Sequence, residues 1–539
     1  MKKRSILSLI LVFVMVLAMA PAISIADSEA TVDSSEWPTL HIFGSRAANT
    51  VEDFNTMQLI QDWSNAVQVN FEWELIASGY TEKKSIMLAS GDYPDVITYV
   101  TDAELIKYSN EGVFIPLEDL QAEYAPNLMA AWEKAPEAKV TNTAPDGHIY
   151  CFPYYMPTPW SGINRVMAIN TQWLDTLGLE MPTTLDELKE VLIAFRDKDP
   201  NGNGEQDEIP MSWAGSLSGY NSMGWAFGGD WLAGSFNVQL PYANTYVDVD
   251  DEGKVYFVGL TEEYKNYLRW YGELYSEGLI DSVAFTQGTD QYAAKLNTEP
   301  YTVGIASVWD IGDSFVSDSA YDYYDYLPPL KGLNGEDPVQ YFNQGSGERG
   351  HWVVTAACEQ PEVAVKAADY LMNEEISVQM FEGPFDERLV LCTVCNDGVS
   401  RMAGAAPEGM DNTTYRDSIA PGFGSGFPAF QSLDAIKTYL HLHYTDRKVA
   451  FIDKYLRGED SYADPSPLPG YFMTAEENDT YNAYWTDIAT YVHRESANMV
   501  MENNVDEKWD SYVAEYEKMH LTDALEAIQS AVDRALAAE

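Results

Sequence analysis

A chain of 539 residues is too long for one hydrophobic core, and its globular composition (46% apolar, 13% aromatic) calls for two or more lobes. A formal charge of −52 repels phosphate backbones and anionic lipid, which excludes nucleic acid and membrane surfaces as expected partners. Four cysteines are too few for a disulfide scaffold at this size.

Lys2, Lys3 and Arg4 precede an apolar run over 6–18, and small residues follow up to Ser24-Ile25-Ala26. The pattern predicts a secretory signal peptide over 1–26, cut after Ala26; a cut after Ala20 would leave Pro21 in the next position. No comparable apolar run occurs later, so the mature chain is expected not to span a membrane. It is expected to be exported, to the cell surface, the extracellular space or a periplasm. No cysteine stands near the cut to carry a lipid anchor.

Strand patterns fall at 40–43, 69–73 and 96–100, separated by helical stretches over 56–66 and 82–89. A second unit of the same kind begins with a strand over 165–170 and a helix around Trp173. Thr184, with Glu187 three residues on, predicts a capping box at the start of the next helix. Long amphipathic helices are expected over 262–278, 361–374 and 509–536. Alternating strands and helices imply an α/β fold with mostly parallel sheets covered on both faces. Ligands of such sheets bind beyond the carboxyl ends of the strands. No low-complexity tether is visible, so several short crossings are expected to join the lobes.

The sharpest local signal is Asp197-Lys-Asp199-Pro-Asn201-Gly-Asn203-Gly-Glu205-Gln-Asp207-Glu208. Oxygen side chains at alternate positions, with glycines permitting the turn, suit a calcium ion and its six to eight oxygen ligands. One register starts at Asp197, with Gly202 at the sharp turn and Glu208 closing; the other starts at Asp199. Either way the loop spends its ligands on the ion, which predicts a structural role. A solvated acidic turn is the plainer alternative.

Several aromatics lie in polar or turn-rich surroundings, among them Tyr99, Tyr154, Tyr155, Trp160, Trp213, Trp225, Trp231 and Trp309. A sugar ring, apolar on its C–H face and polar at its rim, suits such platforms, although core packing is the ordinary role of any one of them. Trp309 is the best individual candidate, because it follows a strand pattern at 303–307 and precedes Asp310 and Gly312. Trp270 and Tyr271, inside an amphipathic helix, are assigned to the core.

Other chemistry finds little support. Cys392 and Cys395 form a CxxC with no second metal half-site, and are read with Cys151 and Cys358 as incidental thiols or one local disulfide. His441 and His443 are read as a structural pair on a strand face. No G-x-S-x-G or HExxH occurs, and the G-x-G-x-x-G over 345–350 is read as a turn because a strand pattern follows it. A secreted glycoside hydrolase would need two facing carboxylates, and 84 acidic residues make mere possession of such a pair uninformative. A calcium-dependent adhesin would be built of small repeats, which are absent.

A set of motifs carries a resemblance from about residue 40 onward: Leu88-Ala-Ser-Gly-Asp-Tyr-Pro-Asp95, Asp146-Gly-His-Ile-Tyr-Cys-Phe-Pro153, Trp173-Leu-Asp-Thr-Leu-Gly-Leu, Pro182-Thr-Thr-Leu-Asp-Glu, the loop ending Asp207-Glu-Ile-Pro210, Leu274-Tyr-Ser-Glu-Gly-Leu-Ile-Asp281, Leu327-Pro-Pro-Leu-Lys-Gly332 and Pro361-Glu-Val-Ala-Val-Lys-Ala-Ala-Asp-Tyr-Leu371. In order and spacing they resemble the extracellular solute-binding proteins of bacterial ABC importers, of the maltose-binding-protein-like group and its lipoprotein and alginate-binding branch. The resemblance implies a type II periplasmic-binding-protein fold, two α/β lobes with central mixed sheets and a hinge. It divides the chain into 37–155 and 344–410 for lobe 1, and 156–343 and 411–539 for lobe 2. It implies a structural calcium held by Asp199, Asn201, Asn203, the Glu205 carbonyl, Asp207 and Glu208. It places Arg46, Tyr99, Asp102, Tyr155, Trp160, Trp225 and Trp309 at or near a ligand. The implied function is capture of a carbohydrate by hinge closure, by a monomer without enzyme activity, for delivery to ABC permease subunits. A hydrolase, or a binder of a non-sugar solute such as a peptide, is the alternative. Relatives in Gram-positive bacteria are usually lipoproteins, so the missing anchor cysteine is a departure.

Overall fold

The computed structural model describes residues 34–156, 166–215, 231–238, 240, 246–311, 315, 320–342, 348–392, 399–404, 406–407, 410, 412–439, 446–455, 463–465, 468 and 470–537. The signal peptide, Trp160, Trp225, Cys395, His441 and His443 lie outside these residues.

Ten strands build the two main sheets: β1 (Thr39–Ser45), β2 (Asn70–Ile76), β3 (Val96–Ile97), β4 (Cys151–Tyr155), β5 (Val166–Asn170), β6 (Ile209–Ser212), β7 (Val303–Val308), β8 (Tyr324–Tyr326), β9 (Glu348–Val354) and β10 (Ala429–Phe430). The first sheet has the order β10-β4-β9-β3-β1-β2 and the second β8-β5-β7-β6. Both are mixed. β1 runs parallel to β2 and β3 while β9 is antiparallel to β3 and β4; β6 is parallel to β7 while β5 is antiparallel to it. The expected strand over 96–100 keeps only two ladder residues. Beyond Ile97 the chain turns away, with Tyr99 at a φ of +52° and the Val100 amide donating to the Gly350 carbonyl.

The helices that matter below are α1 (Gln58–Val67), α2 (Tyr80–Ser90), α3 (Asp102–Asn110), α4 (Leu185–Asp197), α5 (Glu262–Ser276), α6 (Pro361–Leu371), α7 (Asp446–Tyr455), α8 (Ala475–Met501), α9 (Val505–Lys518) and α10 (Leu521–Leu536). Three expectations need correction. The stretch 361–374 stops at Leu371, because Asn373 takes an extended conformation and caps a separate helix, Glu374–Glu382. The stretch 509–536 breaks at His520, whose φ of +57° ends α9 and starts α10. At α4, Thr184 accepts from the Glu187 amide as a cap should, but the Glu187 carboxylate reaches the Thr183 amide instead of closing the box on Thr184. Complete capping boxes stand at Thr101/Glu104 and Thr474/Glu477.

Each sheet has its own core. Trp63, Phe71, Trp352 and Phe427 pack against one face of the first sheet, and Phe43, Ile97, Cys151 and Val353 lie on the other. The second sheet buries Val166, Phe195, Ile305 and Tyr324 together with Trp270 and Tyr271, as assigned. α8, α9 and α10 join this second core through Trp485, Trp509 and Ile528. The segment from 411 onward, assigned as a whole to lobe 2, contributes β10 and Phe427 to the first sheet and its core. Separate cores on two sheets give the two-lobed architecture that the resemblance implies.

Candidate binding site and cation loop

The strand directions bring the carboxyl ends of β1, β3 and β4 to one edge of the first sheet, beside the start of β9. Four side chains there form a continuous group. The Tyr99 ring lies 5.0 Å from His351, and His351 stacks on Tyr154 at 4.8 Å and 22°. His351 lies 3.1 Å from the Phe427 carbonyl through Nδ1 and 3.3 Å from Glu348 through Nε2. That contact holds the Glu348 carboxyl below its ordinary range, while the side chain stays 64% exposed. The arrangement offers aromatic surface beside an ionised acceptor.

Tyr99 is pinned at every end. Its hydroxyl donates to the Phe423 carbonyl at 2.5 Å, and its own carbonyl accepts from Lys84 of α2. Lys84 is buried and pairs with Glu104 at 2.6 Å; burial lowers its pKa and Glu104 opposes that shift. The Tyr80 hydroxyl holds the preceding carbonyl, that of Thr98.

The remaining expected ligand residues are placed differently from one another. Arg46 follows β1, and its guanidinium closes the next turn by donating to the carbonyls of Ala47 (3.2 Å) and Thr50 (2.8 Å). Asp102 accepts from Arg349 at both carboxylate oxygens. Tyr155 is buried, stacked on Phe430 at 5.3 Å, with its hydroxyl on Glu137 at 2.6 Å. Trp309 lies just past β7, half-buried, with the Lys448 ammonium of α7 4.3 Å from its ring centre and donating to its carbonyl. Asp310 beside it is buried and accepts from Tyr321 and Tyr326 at 2.7 and 2.9 Å. Trp213 and Trp231 belong to the second core.

Glu348, His351, Lys84 and Lys448 were not singled out in the sequence. A strand was legible over 351–355, but nothing local shows that it lies between β3 and β4.

The acidic loop after α4 folds on itself. The Asp199 carboxylate accepts from the amides of Asn203 (3.1 Å) and Gly204 (2.9 Å), and the side-chain amides of Asn201 and Asn203 reach Asp207. Glu208 is the exception. Both its carboxylate oxygens are shut off from solvent with no hydrogen bond of good geometry, and burial, with Asp199 and Asp207, pushes its pKa up against the opposing pull of the Glu208 and Asn201 amides. Among the described residues no three His, Cys, Asp or Glu side chains already converge as a metal cluster. Hard oxygen donors around an uncompensated carboxylate nevertheless fit a cation of the calcium type. Cys392 is disulfide-bonded, while Cys151 and Cys358 are free and buried.

Among the described residues no helix is long and apolar enough to cross a membrane. The family model described as bacterial extracellular solute-binding protein matches residues 47–377. The chain is 30% identical over 525 residues to the fructooligosaccharide ABC transporter substrate-binding protein FusA of Streptococcus pneumoniae serotype 4 (strain ATCC BAA-334 / TIGR4), covering 94% of this chain and 92% of FusA. A structure of FusA with kestose superposes with a TM-score of 0.77 at 29% identity, covering 93% of this chain and 100% of that one. An EF-hand mutant of FusA with fructo-nystose gives 0.75 at 28%, with the same coverage. Lipoprotein LipO of Bacillus subtilis (strain 168) is 34% identical over 208 residues, 38% of this chain and 37% of LipO. The alginate-binding protein AlgQ2, solved without calcium ion, shares the fold at a TM-score of 0.69 and 23% identity, over 94% of this chain and 100% of AlgQ2. The chain belongs to the bacterial extracellular solute-binding protein family.

Proposed function

We propose that this protein captures an oligosaccharide of the fructooligosaccharide class between its lobes and delivers it to the permease subunits of an ABC importer. The observation that carries the reading is the Tyr99–His351–Tyr154 group with Glu348 at its edge, at the carboxyl ends of the first sheet. Aromatic faces accept the C–H side of a sugar ring while a carboxylate takes its hydroxyls. FusA, similar over nearly the whole chain, is named for that ligand class.

In this reading Trp309 meets the sugar from the second lobe as the hinge closes, and Trp160 and Trp225 complete the contact. Arg46 shapes the rim, and Tyr155 and Asp102 support the site from behind. Binding needs no covalent step, and the protein acts as a monomer without enzyme activity. Lobe 1 comprises 37–155 and 344–430, lobe 2 comprises 156–343 and 431–539 apart from Phe472, which packs back into the first core; the pairing of β10 with β4 supports placing 429–430 in lobe 1. The chain is exported behind a cleaved leader over 1–26.

A structural calcium is held by Asp199, Asn201, Asn203, the Glu205 carbonyl, Asp207 and Glu208. What supports it is the buried Glu208 carboxylate, which has no hydrogen bond of good geometry and whose charge the ion would compensate.

A thermal-shift screen with calcium present, using kestose, longer fructooligosaccharides, uronates and peptides, tests the reading. Kestose or its longer homologues should raise the melting temperature saturably, since a ligand at about 100 times its Kd adds about 2.7 kcal/mol. A saturable shift with a peptide alone would sink it.

A further inference from the structure

Two buried lysines occupy matching places in the two halves of the molecule. Lys84 of α2 is 1% exposed, and its ammonium donates to the carbonyl of Tyr99. Lys448 of α7 is fully buried, and its ammonium donates to the carbonyl of Trp309. Tyr99 and Trp309 each stand just beyond the carboxyl end of an inner strand, β3 in one sheet and β7 in the other.

An ammonium group is unfavourable in a protein interior unless it is paired and hydrogen-bonded. A methionine would fill the same space without that penalty, so packing alone does not call for lysine at either place. What lysine adds is a charged donor: Lys84 pairs with Glu104 and also holds the Tyr99 carbonyl in one direction, and Lys448 holds that of Trp309. Tyr99 needs such a hold, because its φ of +52° is a conformation that bulky L residues avoid. Fixing its carbonyl, with the Val100 amide on Gly350, sets the backbone from which the ring projects, while the hydroxyl on the Phe423 carbonyl holds the far end of the ring. At Trp309 the same ammonium also lies 4.3 Å from the ring centre, so carbonyl and indole are held by one group.

We infer that Lys84 and Lys448 are positioning residues for ligand binding, each holding, through a main-chain carbonyl, the aromatic with which its lobe meets the sugar. The inference rests on the oligosaccharide reading given above. Neither lysine touches the ligand; each acts through the aromatic beside it.

Kestose titration by calorimetry, with urea unfolding to establish folding, tests this on the wild type and on Lys84→Met, Lys84→Arg, Lys448→Met and Lys448→Arg. Each Met variant should bind at least about tenfold more weakly, and the double Met variant about a hundredfold, since the sites are independent. The Arg variants, which keep a charged donor, should recover to within about threefold of wild type. Lys84→Met/Glu104→Gln removes both charges together and should bind as weakly as Lys84→Met, which covers the case where the single variant unfolds. In a Tyr99→Gly background, with no ring to hold, Lys84→Met should change the Kd by less than about threefold. Folded Met variants that match the wild type, or an equal loss in the Tyr99→Gly background, overturn the roles of the lysines and leave the oligosaccharide reading standing. A wild type that binds neither kestose nor longer fructooligosaccharides overturns that reading and the positioning roles with it.

Discussion

Arg349 sets one edge of its guanidinium against Asp102, with Nε 3.1 Å from one carboxylate oxygen and Nη2 3.0 Å from the other. The same side chain donates to the carbonyls of Thr141 (2.5 Å) and Tyr471 (2.9 Å) and covers the Phe472 ring at 4.2 Å. Phe472 packs in the core of the first sheet and Met473 in that of the second, so this fork sits where the chain passes from one core to the other.

Asp102→Asn is therefore expected to lower stability by about 1 kcal/mol, because it removes the charge from the pair while leaving one acceptor oxygen for Arg349. Kestose affinity should change far less, since the carboxylate faces Arg349. Urea unfolding and calorimetry on the same sample check both halves; a large affinity loss at unchanged stability would make Asp102 a ligand group instead.

The acidic loop gives a prediction with an unusual sign. Glu208 carries a buried carboxylate with no hydrogen bond of good geometry, repelled by Asp199 and Asp207. Glu208→Gln should raise the melting temperature in the presence of chelator by a degree or more, while abolishing the gain of a few degrees that calcium gives the wild type. Parallel melts in EGTA and in calcium test this, and a variant that keeps the calcium gain would remove Glu208 from the site.

His493 in α8 supplies the pH dependence. Both ring nitrogens are buried without partners beside the Tyr246 ring, and burial pushes its pKa down to about 4. The unfolded chain, with an imidazole pKa of about 6.5, binds the proton first as pH falls. A depressed histidine thus contributes stability above the unfolded value, and that stability is lost between about pH 6.5 and 4, roughly 2.5 kcal/mol by pH 4.5. The unfolding free energies of wild type and His493→Leu should diverge by that amount between pH 7.5 and 4.5, in favour of the variant at the acid end. A constant gap would place a partner on the imidazole.

How much of this was legible depended on range. The strands at 39–45 and 70–76 and the helices flanking them follow from local pattern, and Trp309 was visible as the residue after a strand. Tyr154 and Tyr155 show the limit of such reading, since neighbours on a strand face opposite ways. One joins His351, and the other stacks on Phe430. The Arg349–Asp102 pair spans 247 residues, and its register depends on a sheet whose neighbouring strands are far apart in the chain. Lys84 and Lys448 carry no local signal that sets them apart from other lysines; only the fold shows them buried.

The aromatic group yields the most direct test of the site. Tyr154→Ala removes one wall of the stack, and loss of a ring contact worth about 1.4 kcal/mol would weaken kestose binding about tenfold. Glu348→Gln keeps the shape and the contact with His351 but removes the charge, so its effect should appear as weaker binding with little change in stability. Tyr155→Phe supplies the contrast. It loses the bond to Glu137 and some stability, yet should bind kestose as the wild type does, because that ring packs against Phe430. If Tyr155→Phe lost affinity and Tyr154→Ala did not, the ligand would lie on the other face of β4.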